Sequence, residues 1–149
     1  MQKSLSQIVS GITIIFFKYF NTEDLIQVND TIGYVHEFNL FNTTLMDISG
    51  VKHIVSNDEI AHGKIINYTA YENIFLHSDV TLSSNNTSLN YKALLEEIKR
   101  SVRRCKYNSK PINTKVGILD LSSPGTKIKI EMPIKSENYY EALFELNLI

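Results

Sequence analysis

The sequence predicts an α+β chain: one amphipathic N-terminal helix, a small antiparallel β-unit, and a mixed unit in the order β-α-β-β-α. Three observations carry this prediction. Apolar residues recur at helical spacing over the first twenty positions. Short apolar runs separated by turn residues fill the stretch from Leu25 to Thr69. From Glu72 onward, period-two segments alternate with helical ones. The expected divisions are residues 1–20, 21–71 and 72–149, a size that suits one domain or two small ones.

In the first segment Leu5, Ile8, Val9, Ile12, Ile15, Phe16 and Tyr19 fall at i, i+3, i+4 spacing and build one apolar face. The opposite stripe carries Lys3, Gln7, Ser10 and Thr13 or Ile14. Ile12–Phe17 is β-branched and aromatic enough to form a strand by itself, and a helix here has two natural placements. One is against a core, the other at a membrane interface. The charge-free run Ser4–Phe17 would reach only about 21 Å as a helix, short of the ~30 Å hydrocarbon layer. Its scattered Ser, Gln and Thr residues, with no small-residue cleavage site after them, do not make a signal peptide.

The runs Leu25–Val28, Ile32–Phe41, Thr43–Met46, Lys52–Val55 and Lys64–Tyr68 are too short and too closely spaced for crossover helices. Asn29-Asp30 and Asp47–Gly50 supply turns between them. A small antiparallel sheet or partly closed barrel follows. In the third segment Ile74, Leu76, Val80 and Leu82 alternate along a strand, and the polar loop 83–88 offers helix caps. Tyr91, Leu94, Leu95, Ile98, Val102 and Cys105 trace a helical face that ends before Pro111. Val116–Leu121 reads as a strand and Ser122–Gly125 as a turn. Ile128, Ile130, Met132 and Ile134 then form a second alternating strand, and Ser136 is placed to cap a last helix bearing Tyr139, Tyr140, Leu143 and Leu146. That order is a ferredoxin-like split βαβ without its final strand.

The chemistry-bearing residues do not converge on a reaction. Net charge is −1, so no global field draws nucleic acid or anionic lipid. A single cysteine, Cys105, excludes an internal disulfide framework and fits a reducing compartment. His36, His53, His62 and His77 lack metal-ligand spacing, and no G-x-S-x-G or glycine-rich phosphate loop occurs. No enzymatic activity, metal or cofactor is expected. Cys105 lies beside Arg103, Arg104 and Lys106, which could lower its pKa, although a small residue closing an apolar face is the simpler reading. The basic cluster Lys99, Arg100, Arg103, Arg104, Lys106, Lys110 and Lys115 complements a helix C-terminus. Its alternative use is a nucleic-acid surface, a small β-barrel with a basic helix end, but the strand at 126–134 offers no aromatic stacking platform. Nucleic acid is therefore not the expected partner.

Several motifs together carry a family resemblance. They are Gln2-Lys3-Ser4-Leu5-Ser6-Gln7, Gly11, Phe20-Asn21-Thr22-Glu23-Asp24, Gly33, Phe41-Asn42-Thr43-Thr44, Gly50, Asn57, Ile60 and Ile65-Ile66-Asn67. In this order they resemble the end of the pore helix and the β-domain of the small-conductance mechanosensitive ion channel (MscS) family. The resemblance covers nearly the whole chain in layout and is most specific over Gln2–Thr69. It implies an Sm-like β-domain and an αβ-domain that assemble as a homo-heptameric ring, a cytoplasmic vestibule through which ions reach the pore. Gln2, Ser4, Leu5 and Gly11 would be hinge and packing positions next to the pore. Lys18, Phe20 and Asp24 would form the junction from helix to β-domain. Lipid would meet the first helix, on the cytoplasmic side of the membrane. The membrane helices of the family would lie before Met1, so conduction by this chain alone is not expected.

Departures from the family pattern carry expectations of their own. Lys3 stands at the family's hinge glycine. Glu23 stands where a glycine would follow Phe20, so a different turn is expected there. Ser56-Asn57-Asp58 replaces a Pro-Asn-Gly turn, with Asn57 or Asp58 expected in a left-handed conformation.

Overall fold

A computed structural model describes residues 2–83, 90–120 and 125–148, with side chains from Leu5 onward. The chain divides into two compact units, Met1–Ala70 and Tyr71–Ile149.

The first unit opens with helix α1 (Gln2–Phe17), followed by strands β1 (Leu25–Val28), β2 (Thr31–Phe38), β3 (Asn42–Met46) and β4 (Lys52–Ser56). Helix α2 (Asn57–His62) and strand β5 (Ile65–Asn67) complete it. The strands form one antiparallel sheet in the order β4-β3-β2-β1-β5. The turn residues act as the sequence suggests. Asn29 takes φ 52° between β1 and β2, a left-handed value that asparagine tolerates. Between β3 and β4 the Asp47 carboxylate accepts the N–H groups of Ser49 (2.8 Å) and Val51 (2.9 Å), and Gly50 supplies φ 79°. β2 is shorter than its apolar run. It carries a register shift between Val35 and Glu37 and ends at Phe38, leaving residues 39–41 as a loop. Ile14, Phe20, Ile26, Val28, Val35, Leu45, Val55 and Ile60 fill the core, so α1 and α2 each contribute a buried isoleucine.

Helix α2 corrects the turn expected at Ser56-Asn57-Asp58. Neither Asn57 nor Asp58 is left-handed. Ser56 is instead an N-cap whose Oγ accepts the Asp58 N–H, and Asp58 and Glu59 occupy the first turn, where acidic residues favour the helix dipole. Asn57 is fully buried and bonded on three sides. Its carboxamide oxygen accepts from Thr43 Oγ1 (2.9 Å), its Nδ2 donates to the Asn39 carbonyl (2.6 Å), and its N–H donates to the Phe41 carbonyl (2.9 Å).

The second unit contains β6 (Asn73–Ser83), α3 (Tyr91–Arg104), β7 (Lys115–Asp120), β8 (Gly125–Lys135) and α4 (Tyr139–Leu146). Its described strands form an antiparallel sheet in the order β6-β8-β7, as a split βαβ requires: β6 and β7 flank the strand that follows them. Leu76, Ile128, Ile130, Met132 and Ile134 from the sheet meet Val102 and Cys105 from the α3 end and Ala142 and Leu146 from α4. Ser136 does not cap α4. It begins a 3₁₀ turn, Ser136–Asn138, and its N–H donates to the Glu72 carbonyl at 2.9 Å. The polar loop after Ser83 and the turn before Gly125 lie outside the described residues.

Candidate functional site

The site centres on α1 and the way it is held by its own unit. The helix does not pack through its apolar stripe. Ser10, Gly11 and Ile14 are buried, and Ser6 and Gln7 are half-buried. Leu5, Val9, Ile12, Ile15, Phe16 and Phe17 are exposed, Phe16 by 78% and Leu5 by 66%. The inward face is thus a stripe of small and polar residues ending in one isoleucine, and the outward face is the apolar one.

Two features fix that orientation. The first is a close approach at Gly11, where an added Cβ would stand 2.2 Å from the Leu40 carbonyl oxygen. Only glycine lets the helix lie this close to the loop between β2 and β3. The second is a polar latch onto α2. Ser6 Oγ donates to Asp58 Oδ1 at 2.5 Å, Ser10 Oγ donates to the same oxygen at 3.4 Å, and Gln7 Nε2 donates to Ser56 Oγ at 3.4 Å. The hydrogen bond from Ser6 holds the Asp58 carboxyl below its ordinary value of 3.8, helped by nearby His62. Ile14, 1% exposed, seals the contact from the apolar core.

The junction after the helix is equally specific. Lys18 ends α1 at φ 49° while its N–H still donates to the Ile14 carbonyl (3.0 Å), a left-handed cap usually given to glycine. Phe20 turns back into the core, edge-on to Phe38 at 5.8 Å between ring centroids. Glu23 adopts φ 71° and donates its N–H to the Val35 carbonyl (2.7 Å). The backbone at Glu23 thus takes the left-handed conformation that glycine favours, with a side chain attached. Asp24 ties the junction together through Oδ2, which accepts from the Asn21 N–H and from Asn67 Nδ2 on β5, both at 2.9 Å.

Of the positions singled out from sequence, Gly11, Lys18, Phe20 and Asp24 all fall on the docking contact or the junction, and Leu5 lies on the outer face. Gln2 and Ser4 belong to the α1 backbone, with side chains outside the described set. Sequence reasoning missed Ser6, Ser10 and Asp58. The spacing Ser6, Ser10, Ile14 at i, i+4, i+8 beside Gly11 was the available signal, because small residues at that period permit close helix packing.

The remaining candidates stay apart. His53 Nε2 lies 3.0 Å from Asp47 Oδ2, and His62 ends α2. No three His, Cys, Asp or Glu side chains converge among the described residues. Cys105 is buried, which pushes its thiol pKa up, opposite to activation by the neighbouring cations. Arg103 and Arg104 are exposed on the last turn of α3, where they complement the helix C-terminus. No helix among the described residues is long and apolar enough to cross a membrane.

Residues 3–70 match the family described as mechanosensitive ion channel, beta-domain. An uncharacterized MscS family protein of Buchnera aphidicola (subsp. Acyrthosiphon pisum) is 32% identical over 69 residues, 46% of this chain and 23% of the relative. The small-conductance mechanosensitive channel of Edwardsiella ictaluri is 30% identical over 69 residues, 46% of this chain and 24% of that protein. The match thus spans about a quarter of the length of these curated relatives. Among solved structures, closed-state MscS of Helicobacter pylori superposes with a TM-score of 0.76 at 23% identity, covering 99% of this chain and 57% of the other. MSL1 of Arabidopsis thaliana gives 0.65 at 20% identity, covering 97% and 53%. These two likenesses extend the shared fold through the second unit.

Proposed function

We propose that the chain, whose residues 3–70 match the β-domain of the mechanosensitive ion channel (MscS) family, serves as a ring-forming, cytoplasmic-side part of such a channel. In this reading copies of the chain assemble as a homo-oligomer, a heptamer by resemblance to the family, and enclose a vestibule that ions traverse on the way to a pore. Helix α1 lies at the membrane face of the ring. Gln2, Ser4, Leu5 and Gly11 set its packing beside the pore, and Lys18, Phe20 and Asp24 transmit its position to the β-unit. No described helix is long and apolar enough to cross a bilayer, and the 149-residue chain alone is expected to pass no current.

One observation carries the reading: α1 is docked by its polar stripe and offers Leu5, Val9, Ile12 and Phe16 outward as a continuous apolar face. Such a face is stable when covered by lipid or by a neighbouring subunit. Its flanking Lys3 and Lys18 are the residue type that anchors interfacial helices. Co-sedimentation with liposomes tests the proposal. The wild-type chain is expected to bind and to form a complex larger than a dimer, and Ile12→Asp with Phe16→Asp should abolish both while residues after Asn21 stay folded. A monomeric, unbound wild-type chain at high micromolar concentration, or single-channel currents from the purified chain in a planar bilayer, would contradict it.

A further inference from the structure

The C-terminal end of α3 and the loop after it concentrate positive charge. Six of the fifteen lysines and arginines, Lys99, Arg100, Arg103, Arg104, Lys106 and Lys110, fall within residues 99–110, where no Asp or Glu occurs, in a chain of net charge −1. The helix dipole accounts for Arg103 and Arg104 at most, because its effect fades beyond the last turn. In the sheet of the same unit, Lys115 and Lys129 reach Glu131 at 3.5 and 3.3 Å, and Lys135 reaches Glu137 at 3.8 Å. Among the described residues, Arg100, Arg103 and Arg104 enter no such ion pair. Glu145 comes to Lys106 from α4, and its Oε1 accepts the Lys106 backbone N–H at 3.4 Å. That is one carboxylate against six cations.

The fold holds these cations in place. Lys99, Arg100, Arg103 and Arg104 recur at i, i+1, i+4 and i+5, so they share one side of α3, away from buried Val102. Asn108 fixes the loop: its Nδ2 donates to the Val102 carbonyl at 3.0 Å and to Thr114 Oγ1 at 2.8 Å. The Ser109 N–H donates to the Pro133 carbonyl at 2.9 Å. A 3₁₀ turn, Pro111–Asn113, then packs on α3 and β8 and presents Ile112, 85% exposed, just after Lys110. We infer that this surface docks an acidic protein segment that carries apolar residues among its carboxylates. The guanidinium groups take carboxylates in bidentate pairs, and Ile112 takes an apolar side chain between them. A nucleic-acid strand fits less well, because its bases need open aromatic faces. The ring at this surface, Tyr107, is half-buried, with Lys106 Nζ 5.1 Å from its centroid. This partner is additional to the ring contacts proposed above and does not depend on them.

Fluorescence anisotropy of a dye-labelled peptide of four Glu-Glu-Leu repeats, titrated with the full 149-residue chain, tests the inference. Binding is expected at about 50 mM salt and should weaken about tenfold at about 0.5 M, where exposed charges are screened. Arg103→Ala with Arg104→Ala should weaken it about tenfold, and Ile112→Ser about threefold. All three side chains are exposed, so neither variant disturbs the core. A nine-nucleotide uridine strand, with the same eight charges as the peptide, should bind about tenfold less tightly than the peptide. Absence of peptide binding at low salt, or an affinity indifferent to the arginine pair, would overturn the proposal. Wild-type affinity in Ile112→Ser would overturn it too, leaving a surface that reads charge alone. Equal or tighter binding of the uridine strand would make it a nucleic-acid surface instead.

Discussion

Helices α1 and α3 are both amphipathic, and they use their two faces in opposite ways. In α3 the apolar stripe turns inward: Val102 is fully buried, Leu94, Leu95 and Ile98 pack on the core, and Glu96, Glu97, Arg100, Arg103 and Arg104 face water. In α1 the apolar stripe turns outward, and the contact is made by Ser6, Ser10, Gly11 and Ile14. A periodic sequence therefore reveals which face is apolar, but not which face the fold covers. The second question is decided by what the opposing surface offers. α3 meets a sheet of isoleucines, whereas α1 meets a backbone carbonyl at Leu40 and a carboxylate at Asp58.

The contrast between the two helices is sharpest at Ile14. Ile14→Ala should cost about 3 kcal/mol, the typical cost of truncating a buried aliphatic side chain, whereas Ile12→Ala two residues away should change stability by less than about 0.5 kcal/mol. Urea unfolding of the two variants checks this, and equal losses would show that α1 packs through its apolar face. Gly11→Ala comes next. Helix propensity favours the substitution by up to about 1 kcal/mol, but the clash with the Leu40 carbonyl should turn the net effect into a loss of about 1–3 kcal/mol. A stabilised Gly11→Ala variant would mean that the close approach is not present in solution.

A third test uses the latch. The folded chain holds the Asp58 carboxyl below 3.8, so its contribution to docking is fully present above that value and is lost as pH falls through the lower folded one. α1 should stay docked at neutral pH and loosen below about pH 3.8, seen as faster amide exchange in residues 5–17. Asp47 and Glu131 also have lowered pKa values, so the control is Asp58→Asn, in which that acid-dependent step in α1 should disappear. The smallest effect is expected at Lys18, where glycine would relieve a left-handed residue but loosen the unfolded chain. Lys18→Gly should raise stability by no more than about 1 kcal/mol, measured by the shift in the urea midpoint.

Much of the architecture was legible because local and tertiary preferences agree. β1 falls at Leu25–Val28 as its apolar run predicts, and β8 alternates as it should for a strand with one face on a core. The order β-α-β-β-α predicted the neighbours in the second sheet. Helix α2 was missed, although Ser56-x-x-Glu59 has the spacing of a capping box, because Asn57-Asp58 also suits a turn. Here Ile60 decided the matter by filling the core. The latch was illegible for a different reason. Ser6 and Asp58 are 52 residues apart, and neither is unusual until the fold brings them together.

Helix α1 keeps its apolar face outward and its polar stripe inward. Nitroxide labels at Phe16 and Ser10, placed singly and read by oxygen collision on liposomes, test it most directly. Phe16 should become strongly accessible to membrane-dissolved oxygen, and Ser10 should stay shielded at the contact with α2. Equal accessibility, or a shielded Phe16 with an oxygen-exposed Ser10, would contradict the account.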